Sequence, residues 1–342
     1  MIRRGLAALA AVLVSTGFGL GVLLAGAVAA PAGEGVRVVG PVGLTVGDME
    51  RSVAFYSRVL DFEKVSDMET PAADRTGAPG ARVRVVRLRL GDEALELTQY
   101  LAAPVRPIPA DSRSHDHWFQ HVAIIASDMD AAYARLRAQQ VQQVSPSPQR
   151  LPDWNPSAGG IRAFYFKDPD GHPLEILWFP GGKGAPQWQR PDGRLFLGID
   201  HTAIVVADTE RSLACYRDVL GLRVAGESEN HGPEQERLNA VAGARLRITA
   251  LRAAAGPGVE LLEYLAPRDG RPAPADARPS DLAHWETTLV AADDAAARAA
   301  TGSRACGASS PAAVVPAEPG PSHARGMLMR DPDGHVLHVV QP

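Results

Sequence analysis

Cysteine is nearly absent from this chain. Two thiols in 342 residues, Cys215 and Cys306, cannot build a disulfide framework. Cys215 falls at a helix-core spacing and reads as a packed thiol, whereas Cys306 lies in a Gly/Ala/Ser loop; one bridge between them finds no support in the pattern. Blocks of Lys or Arg are missing too. With a net charge of −4, the chain lacks the electrostatic footprint of a nucleic-acid-binding protein, so no nucleic-acid partner is expected. Long apolar runs are confined to the start, where Arg3 and Arg4 precede an uncharged stretch over 5–33 that contains Ala27-Val28-Ala29. The small-x-small ending predicts an export signal over 1–30, cut near Ala29, which would leave a periplasmic or secreted protein off the membrane. The paired arginines hint at a twin-arginine signal, although their flanks match it poorly. An uncleaved anchor is the alternative, since the run could span a bilayer of ~30 Å, but its many Gly and Ala residues make a weak permanent span.

What remains is long enough for two domains, each with its own core. The two are copies. Val42-Gly43-Leu44-Thr45-Val46 reads as a strand, Asp48 as a helix N-cap, and Met49, Val53, Tyr56 and Leu60 as one helical face. The same order returns 160 residues later at Thr202 to Val206, Asp208, Leu213, Tyr216 and Leu220. Glu96-Leu97-Thr98-Gln99-Tyr100 recurs at Glu260-Leu261-Leu262-Glu263-Tyr264, and Arg106-Pro107-Ile108-Pro109-Ala110-Asp111 at Arg271-Pro272-Ala273-Pro274-Ala275-Asp276. A Pro/Gly-rich link over 183–194 divides the halves, giving domains over 36–182 and 195–342. Inside each half a weaker repeat places a second strand and helix midway, at His121 to Ala126 and Asp128 to Gln139. The expectation is α+β: four βαβββ modules, over about 36–104, 115–180, 195–267 and 281–342, with mixed, incompletely closed sheets.

Two pentapeptides organise the pattern, Asp168-Pro169-Asp170-Gly171-His172 and Asp331-Pro332-Asp333-Gly334-His335. Asp opens a tight turn, Pro fixes φ at its second position and Gly takes the left-handed one, so each reads as a hairpin whose histidine, His172 or His335, is exposed. Four residues beyond each Gly, an otherwise apolar strand carries a metal-capable side chain, Glu175 or His338. A single such residue would be ordinary surface polarity; its recurrence at one step of two repeats points to a site.

The run Val46-Gly47-Asp48-Met49-Glu50-Arg51-Ser52-Val53-Ala54-Phe55-Tyr56, its partner over 206–216, Glu96-Leu97, the strand at His121 and both hairpins resemble the vicinal oxygen chelate superfamily, which includes glyoxalase I, extradiol dioxygenases, fosfomycin resistance enzymes and bleomycin-binding proteins. In that superfamily each module typically lends a metal ligand from its first strand and one from its last. The resemblance therefore implies Pro41 and Glu96 from the first module, His121 and Glu175 from the second, His201 and Glu260 from the third, and Glu286 and His338 from the fourth. Pro41 departs from the pattern by offering no donor. An exchanged pairing of modules two and three would unite His121, Glu175, His201 and Glu260, leaving Glu96, Glu286 and His338 in a degraded second site. Pairing within each half would instead give Glu96, His121 and Glu175 on one side and His201, Glu260, Glu286 and His338 on the other. The sequence leaves both open.

Imidazole with carboxylate suits Zn, Ni, Fe, Mn or Co with exchangeable positions for a small substrate that chelates through adjacent oxygens. Glu175 and Glu260 are then candidate general bases. The expected function is a divalent-metal lyase, isomerase or dioxygenase, with a metal-free small-molecule binding protein as the alternative. His115 and His117 read as a solvated loop, because their counterparts in the second half are Ser280 and Leu282. Trp154 and Asn155 have no counterpart and could shape a substrate mouth. Oligomeric state is not legible, and a monomer suffices.

Overall fold

The computed structural model describes residues 35–71, 82–190, 192–307, 309–311, 315–316, 323–324 and 326–341; the predicted export segment lies outside them. The first module comprises β1 (Val36–Thr45), α1 (Met49–Val59), β2 (Glu63–Pro71), β3 (Arg82–Leu90) and β4 (Glu93–Tyr100). The second has β5 (Gln120–Ala126), α2 (Met129–Ala138), short β6 (Gln142–Gln143) and β7 (Gln149–Arg150), then β8 (Arg162–Lys167) and β9 (Pro173–Trp178). The third runs through β10 (Phe196–Val206), α3 (Thr209–Tyr216), β11 (Arg223–His231), α4 (Pro233–Asn239), β12 (Arg245–Arg252) and β13 (Gly258–Ala266). The fourth holds β14 (Trp285–Ala291), α5 (Asp294–Gly302), β15 (Ser309–Pro311), β16 (Val315–Pro316), β17 (His323–Ala324), β18 (Gly326–Arg330) and β19 (Val336–Val340). The α+β expectation holds, with two large mixed sheets that stay open. The helix starts follow the predicted chemistry, since Asp48, Asp128 and Asp208 each accept backbone N–H groups of the following turn.

The sheets are assembled by exchange. One runs β11-β12-β13-β10-β5-β9-β8-β6 and so joins modules two and three; the other runs β15-β18-β19-β14-β1-β4-β3-β2 and joins four to one. The antiparallel seams are β5 against β10 and β1 against β14. Pairing within each half is thereby overturned. The helical cores, in contrast, follow the sequence halves: α1 and α2 pack into one apolar cluster, α3 and α5 into another. Strand β5 is buried on both faces, with Val122 and Ile124 toward the helices and Ala123 and Ile125 toward the opposite face of the sheet. This is why its run from Val122 to Ala126 is continuously apolar.

The two hairpins fasten this crossed arrangement. The Gly171 N–H closes on Asp168 O at 3.1 Å, with Gly171 at φ +95° as the sequence required. Asp170 then accepts hydrogen bonds from the Gly47 N–H at 3.1 Å and the Ser52 hydroxyl at 3.2 Å, and pairs with Arg51, so a turn of one sheet grips α1 of the other. Asp333 repeats the grip on α3 through the Ala207 N–H. His172 and His335 are buried rather than exposed. Each donates Nδ1–H to the Asp that opens its own turn, and the cover over His172 comes from far along the chain, where Leu282 O accepts its Nε2–H and Trp285 packs edge-on, which a turn-based reading of the sequence could not see.

Cys215 and Cys306 form a disulfide across 91 residues, in place of the packed thiol expected for Cys215. Burial at a helix-core position accounts for a free thiol equally well, so only the tertiary approach of α3 to the segment after α5 distinguishes the two. Cys215→Ser is expected to cost about 2–4 kcal/mol by loss of this cross-link. Denaturant unfolding checks it: the variant should match the wild-type protein measured in reductant.

Candidate metal centre

Two rows of side chains cross the face of the nine-stranded sheet opposite its helices. Cα register places Glu175, Ala123 and His201 side by side on β9, β5 and β10, and next to them His121, Ala203 and Glu260 on β5, β10 and β13. Steps of two along each strand keep all six on one face. The rows exchange under the approximate two-fold of the seam: each is an acid and an imidazole separated by an alanine. Ala123 and Ala203, both fully buried, leave room between the donors.

The side chains converge. His121 Nε2 lies 3.1 Å from Glu175 Oε2, and His201 Nε2 lies 3.7 Å from the same oxygen and 3.4 Å from Glu260 Oε2. One donor atom each from His121, Glu175 and His201 falls within a set no wider than 4.8 Å, and all three residues are buried. Glu260 adjoins from the His201 side and is the more open acid, with 23% of its side chain exposed against 6% for Glu175. The four opposite one another are those the exchanged pairing implies.

His201 is oriented from behind. A register shift between Ile199 and His201 bulges β10, and Asp200 accepts from His201 Nδ1 at 3.0 Å. Asp200 is itself held by Arg252 Nη2 at 2.8 Å and Trp188 Nε1 at 2.7 Å. Burial opposes a charge on His201, but Glu260, Asp200 and Glu175 outweigh it and raise its pKa to about 9. Burial likewise disfavours the Asp200 anion, yet His201 and Arg252 hold its carboxyl well below the usual range. With Nδ1–H committed to a carboxylate, Nε2 is the nitrogen left facing Glu175 and Glu260, the arrangement typical of metal-bound imidazole. Buried acids around two imidazoles make a place for a cation, so the residues fit a divalent ion. Asp200→Asn should weaken divalent-ion affinity about 10- to 100-fold while leaving the fold intact, as isothermal titration with Zn or Mn would report.

Among the described residues, the other sheet shows no equivalent group. Gly43 separates Glu96 from Glu286 in register, Pro41 contributes no donor, and Glu286 bonds to His284 Nε2 at 3.0 Å. His338 is buried on β19, paired in register with Thr288. Among the described residues, Glu96, Glu286 and His338 do not gather into a three-donor group.

A cavity of about 230 Å³ opens over the first set, walled by Tyr165, Asn230, Gln235 and Ser157. Asn155 reaches it indirectly, donating to Asn230 Oδ1 at 2.7 Å, and Trp154 stacks on His231 with centroids 4.4 Å apart. Asn230, Gln235 and Asp200 were invisible as site residues in the sequence, since each depends on α4 or the β10 bulge. His115 is not solvated: it is buried, with Nε2 3.1 Å from Asp269.

Behind this site, Glu93 at the start of β4 accepts the Ile199 N–H at 3.1 Å. Burial pushes its carboxyl from the ordinary 4.5 up to about 7, against that hydrogen bond. A raised acid holds its proton in the folded state, so stability falls as pH rises from 4.5 to 7. Glu93→Gln should therefore leave stability unchanged near pH 4 and raise it by about 1–2 kcal/mol at pH 8, after allowance for solvent screening. Thermal melts at the two pH values check it.

Residues 38–176 and 198–339 match the family model of the Glyoxalase/Bleomycin resistance protein/Dioxygenase superfamily, and the chain belongs to that superfamily. A 2-epi-5-epi-valiolone epimerase from an Actinomyces species is 35% identical over 164 residues, covering 44% of this chain and 84% of that protein. Solved structures that share the fold include two that cover most of this chain. Glyoxalase I from Zea mays has a TM-score of 0.56 at 16% identity, covering 89% of this chain and 92% of that one. A putative dioxygenase from Bacillus subtilis has a TM-score of 0.56 at 15% identity, covering 90% and 86%.

Proposed function

We propose that the protein is a divalent-metal-dependent isomerase of the epimerase type, acting on a small neutral substrate with a hydroxyl next to a carbonyl. The observation that carries this reading is the pair of carboxylates, Glu175 and Glu260, set on either side of His201. Inverting a carbon next to a carbonyl takes a proton from one face and returns one to the other, which two separated acids can serve. His121, Glu175 and His201 would hold a Zn, Ni, Fe, Mn or Co ion, which as a Lewis acid would offset the charge that develops on the substrate oxygens. Glu260, the more open acid, takes the proton from one face, and Glu175 would return one to the other. Asn230, Gln235 and Ser157 offer uncharged hydrogen-bonding partners to a hydroxylated substrate. Relatedness to an epimerase supports this type over the dioxygenase one.

We infer export from the apolar segment over 5–33, and the Cys215–Cys306 disulfide is consistent with an oxidising compartment. There the cytoplasmic thiol cosubstrate of glyoxalase I is out of reach. The experiment is deuterium wash-in: protein loaded with Mn or Zn should exchange the carbon-bound proton of 2-hydroxycyclohexanone in D₂O, and Glu260→Gln should abolish exchange while retaining the metal. Oxygen uptake with catechols and no exchange would favour a dioxygenase. Ligand binding without bound metal would favour a sequestering protein.

A further inference from the structure

A second cavity, of about 490 Å³, lies at the foot of the nine-stranded sheet and is larger than the one over the metal donors. The internal duplication supplies a control for it. The corresponding cavity of the other half has about 130 Å³. Three substitutions between the copies alter its chemistry: His115 stands where the second half has Ser280, Trp118 where it has Ala283, and Lys167 where it has Arg330.

Each change leaves something for a ligand. Arg330 spends its guanidinium on its own turn, donating to Gly334 O at 2.7 Å, whereas Lys167 lines the cavity with no ion-pair or hydrogen-bond partner among the described residues. His115 is 95% buried. Burial, then the nearby Arg113, lowers its pKa, so it is neutral near pH 7; its Nε2–H donates to Asp269 and its Nδ1 is left a lone-pair acceptor. That buried nitrogen has no hydrogen-bond partner, and such an atom is costly unless something fills the role. The remaining walls include Trp118, Phe119 and Trp285, and the charged lining is Arg113 and Lys167 against Asp269, a surplus of one positive charge.

We propose that this cavity is a binding site, separate from the metal centre, for a small organic monoanion with an apolar body and a hydroxyl group. The anion meets Lys167, the hydroxyl donates to His115 Nδ1, and the body lies among the aromatic walls. The two cavities share no lining residue, so the site stands or falls independently of the reading of the metal centre.

Trp118 and Trp285 make the test direct, because binding should change their fluorescence. The full mature chain is titrated with 4-hydroxybenzoate, benzoate and phenol. The expected result is saturable binding of 4-hydroxybenzoate, about tenfold tighter than either partial mimic. Lys167→Met should weaken both anions about tenfold, and His115→Ser, which installs the residue of the other copy, should reduce 4-hydroxybenzoate to the level of benzoate. His201→Ala should bind as the wild type does. No saturable signal, an unchanged affinity in the Lys167 variant, or loss of binding in the His201 variant would each overturn the proposal. Circular dichroism melts confirm that the variants are folded.

Discussion

Replacing Glu175 with glutamine is expected to lower the affinity for a divalent ion by about a hundredfold or more, with little effect on the fold. The substitution keeps the shape of the side chain and removes the charge shared by both imidazoles, 3.1 Å from His121 and 3.7 Å from His201. Losing a buried charged partner costs at least about 3 kcal/mol, which is roughly a hundredfold in affinity. Glu260→Gln should cost less binding and more exchange activity, because Glu260 touches only the His201 side and is the more open. Titration with Zn or Mn, run alongside the deuterium wash-in, separates the two effects. Equal losses of affinity in both variants would mean that the acids share one role.

Asp168→Ala should destabilise the protein by about 3–5 kcal/mol, the cost of stranding a buried charge. The Asp168 carboxylate accepts His172 Nδ1–H at 2.8 Å, the backbone N–H groups of Asp170 and His172 at 2.9 Å each, and the Tyr56 hydroxyl at 3.1 Å. His172 also donates Nε2–H to Leu282 O at 2.7 Å, so both ring nitrogens carry protons. Burial opposes both charges, yet the pair overrides it, lowering the Asp168 pKa and raising that of His172. The signs set the pH window. The carboxylate contribution, present above the ordinary Asp range, is lost as pH falls through its depressed value. The imidazolium contribution, present below about 6.5, is lost as pH rises through its elevated one. Stability measured against pH should lose both limbs in Asp168→Ala. Asp331→Ala should reproduce the effect, since Tyr216 and His335 repeat the network. Tyr56→Phe, which removes only the hydroxyl, should cost about 1 kcal/mol.

The repeat, the four modules and the capped helices could be read along the chain, because each depends on local periodicity or on one offset between copies, whereas the four converging donors were legible only through the family resemblance. The pairing of modules could not. Seams between β5 and β10 or between β1 and β14 use the same apolar strands that pairing within a half would use, and only the assembled sheet distinguishes them. His172 and Cys215 depart from expectation for a related reason: Leu282 and Trp285 cover the one and Cys306 bonds the other, each from a distant part of the chain. His115 shows the limit of comparing copies: the absence of a histidine at its counterpart Ser280 points to solvent, yet His115 lines a cavity. Glu96, Glu286 and His338 matched the step of the repeat without its geometry, because Pro41 removes one corner and Glu286 is engaged by His284.

The central claim is that exchange of modules makes a single metal centre from the second and third. Anomalous scattering from crystals of the chain reconstituted with Zn or Mn tests it most directly. The account predicts one strong peak between His121, Glu175 and His201, within reach of Glu260, and none at Glu96, Glu286 and His338. A peak on the other sheet, or none on either with the four donors ordered, would contradict it.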